Sequence, residues 1–229
     1  MIYALLQRIG QMAFVMFGIG SIPAGRLGDL WGRRRMMLVF YFGMGLSSLA
    51  VSLTQTPMQM AVALTVLGLF SAIYHPVGIP FLVQGSKTPG MTIGINGLAG
   101  NMGIALAALS TGFWVQFFGW RMAFIAPAVL SLVCGWLFWR HAPTESAPPA
   151  KKTVTHVHLP KHLAQRTVVV MIGSAIASSL LFNFTTNGNA QLLAERLDGL
   201  VHEPAMLGLL LAVVYAIASF AQVVVGRLL

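Results

Sequence analysis

The residues best suited to chemistry in this sequence are charged groups gathered in one short stretch. Between Gly25 and Arg35 lie one carboxylate, that of Asp29, and four arginines, whereas the sequence on both sides is almost continuously apolar. Guanidinium groups form charge-assisted hydrogen bonds with a carboxylate, so this stretch can fasten neighbouring helices to one another. The same charges can also do no more than mark one end of a membrane span, and both interpretations are open at this point.

A second kind of candidate is a polar side chain placed inside an apolar run. His75 lies near the middle of such a run and is followed by Pro76 and Pro80, each of which removes a helical N–H. An ionisable group at membrane depth usually faces the interior of a helix bundle or a wet cavity. His75 is therefore either a residue that lines a solute path or a neutral, hydrogen-bonded packing residue.

Further polar residues in the apolar runs are candidates for the same path. They are Arg8, Gln11, Tyr74, Asn101, Asn183 and Asn187. Arg8 either attracts an anionic solute or extends toward the membrane surface, as long cationic side chains near a helix end do. Asn183 and Asn187 are four residues apart and therefore share a helical face.

Acidic residues are absent from every predicted membrane span. The sequence places Asp29 and Glu145 in loops on one side, and Glu195, Asp198 and Glu203 on the other. A proton relay through carboxylates is therefore not expected within this chain, and a histidine would have to serve any proton coupling here. The convergent carboxylates, histidines or nucleophile triad of a membrane enzyme are also missing from the pattern, so catalysis is not expected.

Neither a metal nor another cofactor is expected. His156, His158 and His162 lie in a basic linker, without a fourth ligand at the spacing of a structural zinc site. The single cysteine, Cys134, lies within an apolar run and supports neither a disulfide framework nor a cysteine metal site.

The elements that must position these residues follow from composition. Hydrophobic residues make up 57% of the 229 residues and charged residues only 8%, against about 45–50% and about 25% in soluble domains. The sequence therefore predicts an all-α integral membrane protein. A span needs about 20 mostly apolar residues, and seven segments meet this requirement: 3–24, 36–54, 58–83, 91–116, 120–139, 167–187 and 205–226.

Basic residues are distributed unequally between the two sides of these spans. Eleven of the fourteen fall on the side of the Gly25–Arg35 loop: Arg26, Arg33, Arg34, Arg35, Lys87, Arg140, Lys151, Lys152, Lys161, Arg166 and Arg227. Such an excess marks the cytoplasmic side, so we expect this loop and the central loop 141–166 to be cytoplasmic in a plasma (inner) membrane. Topology thereby explains the net charge of +9, and a nucleic-acid partner is not expected.

The charged stretch also carries a family signature. Gly25, Asp29, Gly32, Arg33 and Arg34 match the pattern G-x-x-x-D-x-x-G-[RK]-[RK] found between the second and third helices of the major facilitator superfamily of secondary transporters, with Leu30 where the family usually has a basic residue. The run from Gly119 to Phe124 resembles the entry to the sixth helix of that family. Gly226-Arg227-Leu228 repeats Gly25-Arg26-Leu27, which is typical of an internal duplication.

The resemblance implies a twelve-helix architecture of two bundles, of which this chain would supply the second to eighth helices. Residues 1–140 would then form the N-terminal half without its first helix, 141–166 the central cytoplasmic loop, and 167–229 the first two helices of the C-terminal half. Asp29 and its motif would act in gating. Gly94, Gly97, Gly100 and Gly103 are spaced for close packing of membrane helices.

The implied function is transport of a small organic solute, a metabolite or a drug, by alternating access across the lipid bilayer. The coupling ion would be H⁺ or Na⁺, or there would be none. The alternative is a truncated chain that does not transport and has a structural or regulatory role. Substrate, direction of transport and oligomeric state do not follow from the sequence.

Overall fold

The structure, a computed structural model, describes residues 2–145, 160–197, 200–201 and 203–228, and the described elements are all helical. The longer helices are α1 (Ile2–Trp31), α2 (Arg33–Ser52), α3 (Pro57–Ser71), α5 (Pro89–Phe118), α6 (Met122–His141), α7 (Lys161–Arg196) and α8 (Pro204–Leu228). Between α3 and α5 the chain forms a π-helical turn, Tyr74–Gly78, and the short helix α4, Ile79–Val83. The predicted all-α fold is therefore confirmed.

Five helical stretches in the described part of the chain are long and apolar enough to cross a membrane. They are Arg33–Ser52, Pro57–Val83, Pro89–Phe118, Met122–His141 and Lys161–Phe182, and Pro204–Phe220 is a shorter apolar helix. Each predicted span overlaps a helix of the structure. The chain is accordingly a multi-pass membrane protein.

The helix ends differ from the predicted span limits. The sequence predicts a loop from Gly25 to Arg35, but α1 continues to Trp31 and α2 begins at Arg33, so the turn is Gly32 alone. In the same way α7 begins at Lys161 and ends at Arg196, whereas its predicted span is 167–187. Apolar length measures the thickness of the membrane, and a helix can continue beyond the membrane because water solvates its polar side chains.

Local sequence accounts for several of these ends. Thr56 caps α3: its hydroxyl accepts a hydrogen bond from the Gln59 N–H at 3.2 Å, while Gln59 Oε1 accepts one from the Thr56 N–H at 3.2 Å. This reciprocal capping box, with Pro57 at the first helical position, satisfies donors that a helix start otherwise leaves unpaired. Gly119 ends α5 with φ of 83°, a conformation that glycine adopts without steric cost.

Helices α1, α2, α3 and α6 pack together, whereas α5 packs chiefly against α8. The buried core of the first group consists of Ala24, Met36, Met37, Ile73 and Val77. None of the residues in Lys161–Phe182 of α7 is buried among the described residues. The most tightly packed residues thus surround the α1–α2 turn and the π-helical turn.

The α5–α8 interface is formed by small residues. A Cβ added to Gly112 would lie 2.5 Å from the Pro204 carbonyl oxygen, and one added to Gly208 would lie 2.5 Å from the Ala108 carbonyl oxygen. The Ala205 N–H also donates a hydrogen bond to Gln116 Oε1 at 3.1 Å. Close backbone approach through small residues is how membrane helices associate.

The predicted packing role of the glycine row holds only for part of α5. Gly94 is buried, but Cβ atoms added to Gly100 and Gly103 would meet nothing within 4 Å in the part of the chain that the structure describes. The contact with α8 instead lies further along the helix, at Gly112. Glycine spacing alone does not reveal which helix face is covered.

Candidate gating cluster and solute path

Arg33 connects the α1–α2 turn to α4. Its Nη1 donates hydrogen bonds to the Pro80 carbonyl oxygen at 3.1 Å and to Gln84 Oε1 at 3.3 Å. Its Nη2 lies 3.8 Å from Asp29 Oδ1, with the Asp29 side chain 48% exposed. An exposed pair at this distance contributes little to stability, so the hydrogen bonds to α4 are the firmer part of this contact.

Arg34 connects the same turn to the end of α6. Its guanidinium donates hydrogen bonds to the carbonyl oxygens of Trp139, at 2.6 Å, and Ala142, at 3.2 Å. The last carbonyls of a helix lack partners within the helix and carry the negative end of its dipole. Arg34 therefore satisfies two acceptors at the position where a cation is favoured.

Glu145 also contacts Arg34, through the arginine backbone. Its Oε2 accepts a hydrogen bond from the Arg34 backbone N–H at 3.2 Å, in the first turn of α2, where a carboxylate interacts favourably with the helix dipole. Its Oε1 is buried and has no hydrogen-bond partner among the described residues. We call Asp29, Gly32, Arg33, Arg34 and Glu145 the turn cluster.

Gly32 is required at the turn for two reasons. Its φ of 99° is one that side chains with a Cβ rarely adopt. A Cβ at this position would also lie 2.8 Å from Glu145 Oε2. Gly25, the first residue of the predicted motif, lies within α1, seven residues before Gly32. A Cβ added to Gly25 would be 3.3 Å from Pro76 Cβ. The structure therefore brings Gly32, Arg33 and Arg34 together and places Gly25 against the π-helical turn.

The π-helical turn presents Tyr74 and His75. The Tyr74 hydroxyl donates a hydrogen bond to Asn96 Oδ1 on α5 at 2.5 Å. The His75 ring lies 6.0 Å from the Phe17 ring of α1 and 5.7 Å from the Tyr74 ring, with interplanar angles of 84° and 80°. His75 is exposed, whereas Phe17, Tyr74 and Asn96 are half-buried. These four residues form what we call the aromatic site.

Of the remaining candidates of the predicted path, Asn101 is the one whose side chain lies in the described part of the structure. Asn101 is half-buried but makes no side-chain hydrogen bond with the described residues. Arg8, Gln11, Asn183 and Asn187 lie in α1 and α7, and their side chains are outside the described part of the structure. Of the predicted path residues whose side chains are described, the structure therefore brings together Tyr74 and His75 but not Asn101.

Sequence reasoning missed Phe17, Asn96 and Glu145 of these two sites, and also Gln84, which accepts a hydrogen bond from Arg33. Phe17 and Asn96 resemble many other apolar or amide residues in membrane spans, and no sequence spacing distinguishes them. Gln84 follows α4, one turn after Pro80, and a polar residue directly after an apolar run indicates a possible partner for the arginines of the turn. Glu145 gave no signal, because its neighbours have the composition of a flexible linker.

A cluster of three or more His, Cys, Asp or Glu side chains suited to a metal ion does not occur among the described residues. Two of the linker histidines, His156 and His158, lie outside them. The sites assembled here consist of hydrogen-bonding and aromatic groups, so they suit binding and conformational change.

Three known proteins illustrate what the chain is similar to. It is 32% identical to the tetracenomycin C resistance and export protein of Streptomyces glaucescens, over 62% of this chain and 28% of that protein. Identity to the gallate transporter of Pseudomonas putida is 27%, over 55% and 28% of the two chains. Identity to the methyl viologen resistance protein SmvA of Salmonella typhimurium is 28%, over 62% and 29%.

The matched region spans less than a third of the length of each of these relatives. By their names, the three relatives are export, transport and resistance proteins for organic compounds. The family model of the Major Facilitator Superfamily matches residues 6–229, which is nearly the whole chain. The chain belongs to the Major Facilitator Superfamily of membrane transporters.

Proposed function

We propose that this chain supplies the N-terminal half, apart from its first helix, and the beginning of the C-terminal half of a secondary transporter for a small organic solute. Family membership supports this proposal, as do the relatives named for export of tetracenomycin C, transport of gallate and resistance to methyl viologen. The solute would be a metabolite or a drug. Residues 141–166 would connect the two halves on the cytoplasmic side, in a plasma (inner) membrane.

The proposed mechanism is alternating access, in which two halves of a transporter rock about a central site. The observation that carries it is the continuity between the turn cluster and the aromatic site. Arg33 donates to the Pro80 carbonyl and to Gln84, and Pro80 lies two residues after the end of the π-helical turn that holds Tyr74 and His75. A displacement of the α1–α2 turn is thereby transmitted to the residues proposed to contact solute.

Asp29 and Arg33 would act in gating, because their contact is the weakest in the turn cluster and is exposed. A weak contact can be exchanged for another at small cost during a conformational change. Arg34 and Glu145 would instead keep α2 and α6 together throughout the cycle. His75 would line the solute path.

The experiment is solute flux in proteoliposomes containing this chain and, where the gene encodes more, the full-length product. We expect gallate to accumulate under an imposed H⁺ or Na⁺ gradient. His75→Ala should reduce the initial rate at least tenfold, whereas His141→Ala, a matched change at an exposed histidine at the end of α6, should leave it within twofold. Equal rates for His75→Ala and wild type at every pH from 5.5 to 8.5 would refute the role of His75, and the absence of any flux would refute transport.

A further inference from the structure

The aromatic site contains three rings whose arrangement favours some solutes over others. Phe17 lies on α1, and Tyr74 and His75 lie on the π-helical turn. The Phe17 ring is 6.0 Å from the His75 ring, and the Tyr74 ring is 5.7 Å from it. Both neighbouring rings stand nearly perpendicular to the imidazole, at 84° and 80°, so neither is stacked parallel to it. Because His75 is also exposed, a planar ring can lie against the imidazole and touch the edges of its neighbours.

The π-helical turn explains why adjacent residues can serve one site. In an α-helix successive side chains point about 100° apart, whereas an inserted π-turn alters the register locally and often occurs at functional sites. Tyr74 and His75 are the first two residues of the turn. Their rings lie 5.7 Å apart, so both belong to the same small surface.

The polar groups of the site include several hydrogen-bond donors. Asn96 Oδ1 is occupied by the Tyr74 hydroxyl at 2.5 Å, which leaves the two amide hydrogens of Asn96 without a partner among the described residues. A neutral imidazole adds one N–H donor together with one acceptor nitrogen, whereas an imidazolium adds two donors. A solute that satisfies these donors must offer acceptor oxygens.

The charges around the site disfavour a cation. The nearest acidic residue along α1 is Asp29, twelve residues after Phe17, which corresponds to about 18 Å of helix. The other described acidic residues, Glu145, Glu195 and Glu203, lie near helix ends or outside helices. A cation at this depth would therefore lack the counter-charge that intramembrane charges require.

We infer that the aromatic site selects planar aromatic solutes with acceptor oxygens, such as aromatic carboxylates, phenols or quinones, and discriminates against organic cations. This inference rests on the proposed function, because it names the solute class of the same site. It assigns Phe17 and Asn96 as specificity residues, with Tyr74 positioning the Asn96 amide.

The test is binding of three matched probes to the chain in lipid nanodiscs, measured by calorimetry. The probes are 2-naphthoate, its saturated analogue decahydro-2-naphthoate, and trimethyl-2-naphthylammonium. They separate the contribution of the aromatic ring from that of charge. We expect 2-naphthoate to bind at least tenfold more tightly than either of the others. Equal affinity for the saturated analogue, or tighter binding of the cation, would overturn the inference.

Variants locate the selectivity. Phe17→Leu should weaken 2-naphthoate at least fivefold and the saturated analogue less than twofold, whereas Phe113→Leu, at an exposed aromatic residue of α5, should change neither. Tyr74→Phe keeps the ring but frees the Asn96 amide, and it should weaken 2-naphthoate about fivefold. The thermal midpoint of each variant shows whether it is folded.

A second variant reverses the expected preference without removing a ring. Asn96→Asp replaces the two donor hydrogens by a carboxylate, so it should weaken 2-naphthoate and strengthen the cation, each by at least fivefold, which together exceeds a tenfold preference. An unchanged order of affinities would refute the assignment of Asn96. If the chain binds aromatic probes selectively but shows no flux, the proposed transport is contradicted and this inference stands. If it shows flux without an aromatic preference, this inference is contradicted and the proposed transport stands.

Discussion

The Arg34 backbone N–H donates a hydrogen bond to Glu145 Oε2 at 3.2 Å, while the guanidinium of the same arginine donates to the last carbonyls of α6. One residue therefore stabilises the beginning of α2 and the end of α6 together. Since Glu145 follows α6 by four residues, the path of the chain leaving α6 is determined by the α1–α2 turn.

Replacing Arg34 should destabilise this junction. Arg34→Ala removes two hydrogen bonds made by a charged group, each of which typically contributes about 1.5–3 kcal/mol, so we expect a lower midpoint in thermal unfolding in detergent. Arg34→Lys should recover only part of the loss, because an ammonium cannot reproduce the geometry of the guanidinium. The matched control is Arg35→Ala, at an exposed neighbour, and equal midpoints for the alanine variants at 34 and 35 would contradict the stabilising role.

Gly32→Ala should be more harmful than an ordinary glycine substitution. The new side chain is unfavourable at φ of 99° and its Cβ would lie 2.8 Å from Glu145 Oε2. We expect a loss of roughly 1–3 kcal/mol, measured as a lower unfolding midpoint. Gly18→Ala is the control, because a Cβ there meets nothing within 4 Å and alanine favours the helix. A Gly32→Ala protein as stable as Gly18→Ala would exclude this account of the turn.

Arg33 should affect transport more than stability. Arg33→Ala removes the hydrogen bonds to Pro80 and Gln84 that connect the turn to α4, and we expect at least a tenfold decrease in the initial rate of uptake. Arg26→Ala removes an arginine that is exposed and should reduce uptake less than twofold. Comparable rates for the two variants, at comparable protein levels in the membrane, would show that the contact with α4 is not needed for movement.

The α5–α8 interface can be tested by size. Gly112→Val places side-chain atoms against the Pro204 carbonyl and Ala205, because even a Cβ at 112 would be 2.5 Å from that oxygen. Overpacking of this kind costs about 1–3 kcal/mol. Gly103→Val, on the same helix with nothing within 4 Å of the added Cβ, should be tolerated.

The measurement for this interface is cross-linking by a short bifunctional thiol reagent between cysteines introduced at positions 116 and 205, in a Cys134→Ser background. The Ala205 N–H and Gln116 Oε1 are 3.1 Å apart, so we expect ready cross-linking in the parent protein. Gly112→Val should slow the reaction and Gly103→Val should not. An unaffected rate in Gly112→Val would mean that the close backbone approach at Gly112 is not needed to hold α5 and α8 together.

The sequence predicted the helical spans well because hydrophobic length is a direct requirement of the membrane. It predicted the helix ends less well: Trp31 and Lys161 are helical although they lie outside the apolar segments. Those ends depend on contacts that are distant in sequence, such as the one between Arg34 and Ala142. The motif residues Gly32, Arg33 and Arg34 were recognised from their spacing, and their gating role remains a prediction.

The candidate site was predicted only in part, and the reason is geometric. His75 and Tyr74 were visible as polar groups within an apolar run that also contains prolines. Their partners Phe17 and Asn96 come from α1 and α5, and only the packing of helices identifies them. Glu145 was assigned to a linker by composition, yet its side chain is partly buried against Gly32.

The single-residue turn at Gly32 has a mechanical consequence. A connection of several residues would contain spare chain length, so that two helices could tilt or slide independently. Between Trp31 and Arg33 there is only Gly32, and its backbone is held at both ends by hydrogen bonds from the Gly32 N–H to the Gly28 carbonyl and from the Met36 N–H to the Gly32 carbonyl. An axial displacement of α1 must therefore displace the start of α2 by the same amount, so the two helices are mechanically coupled at Gly32.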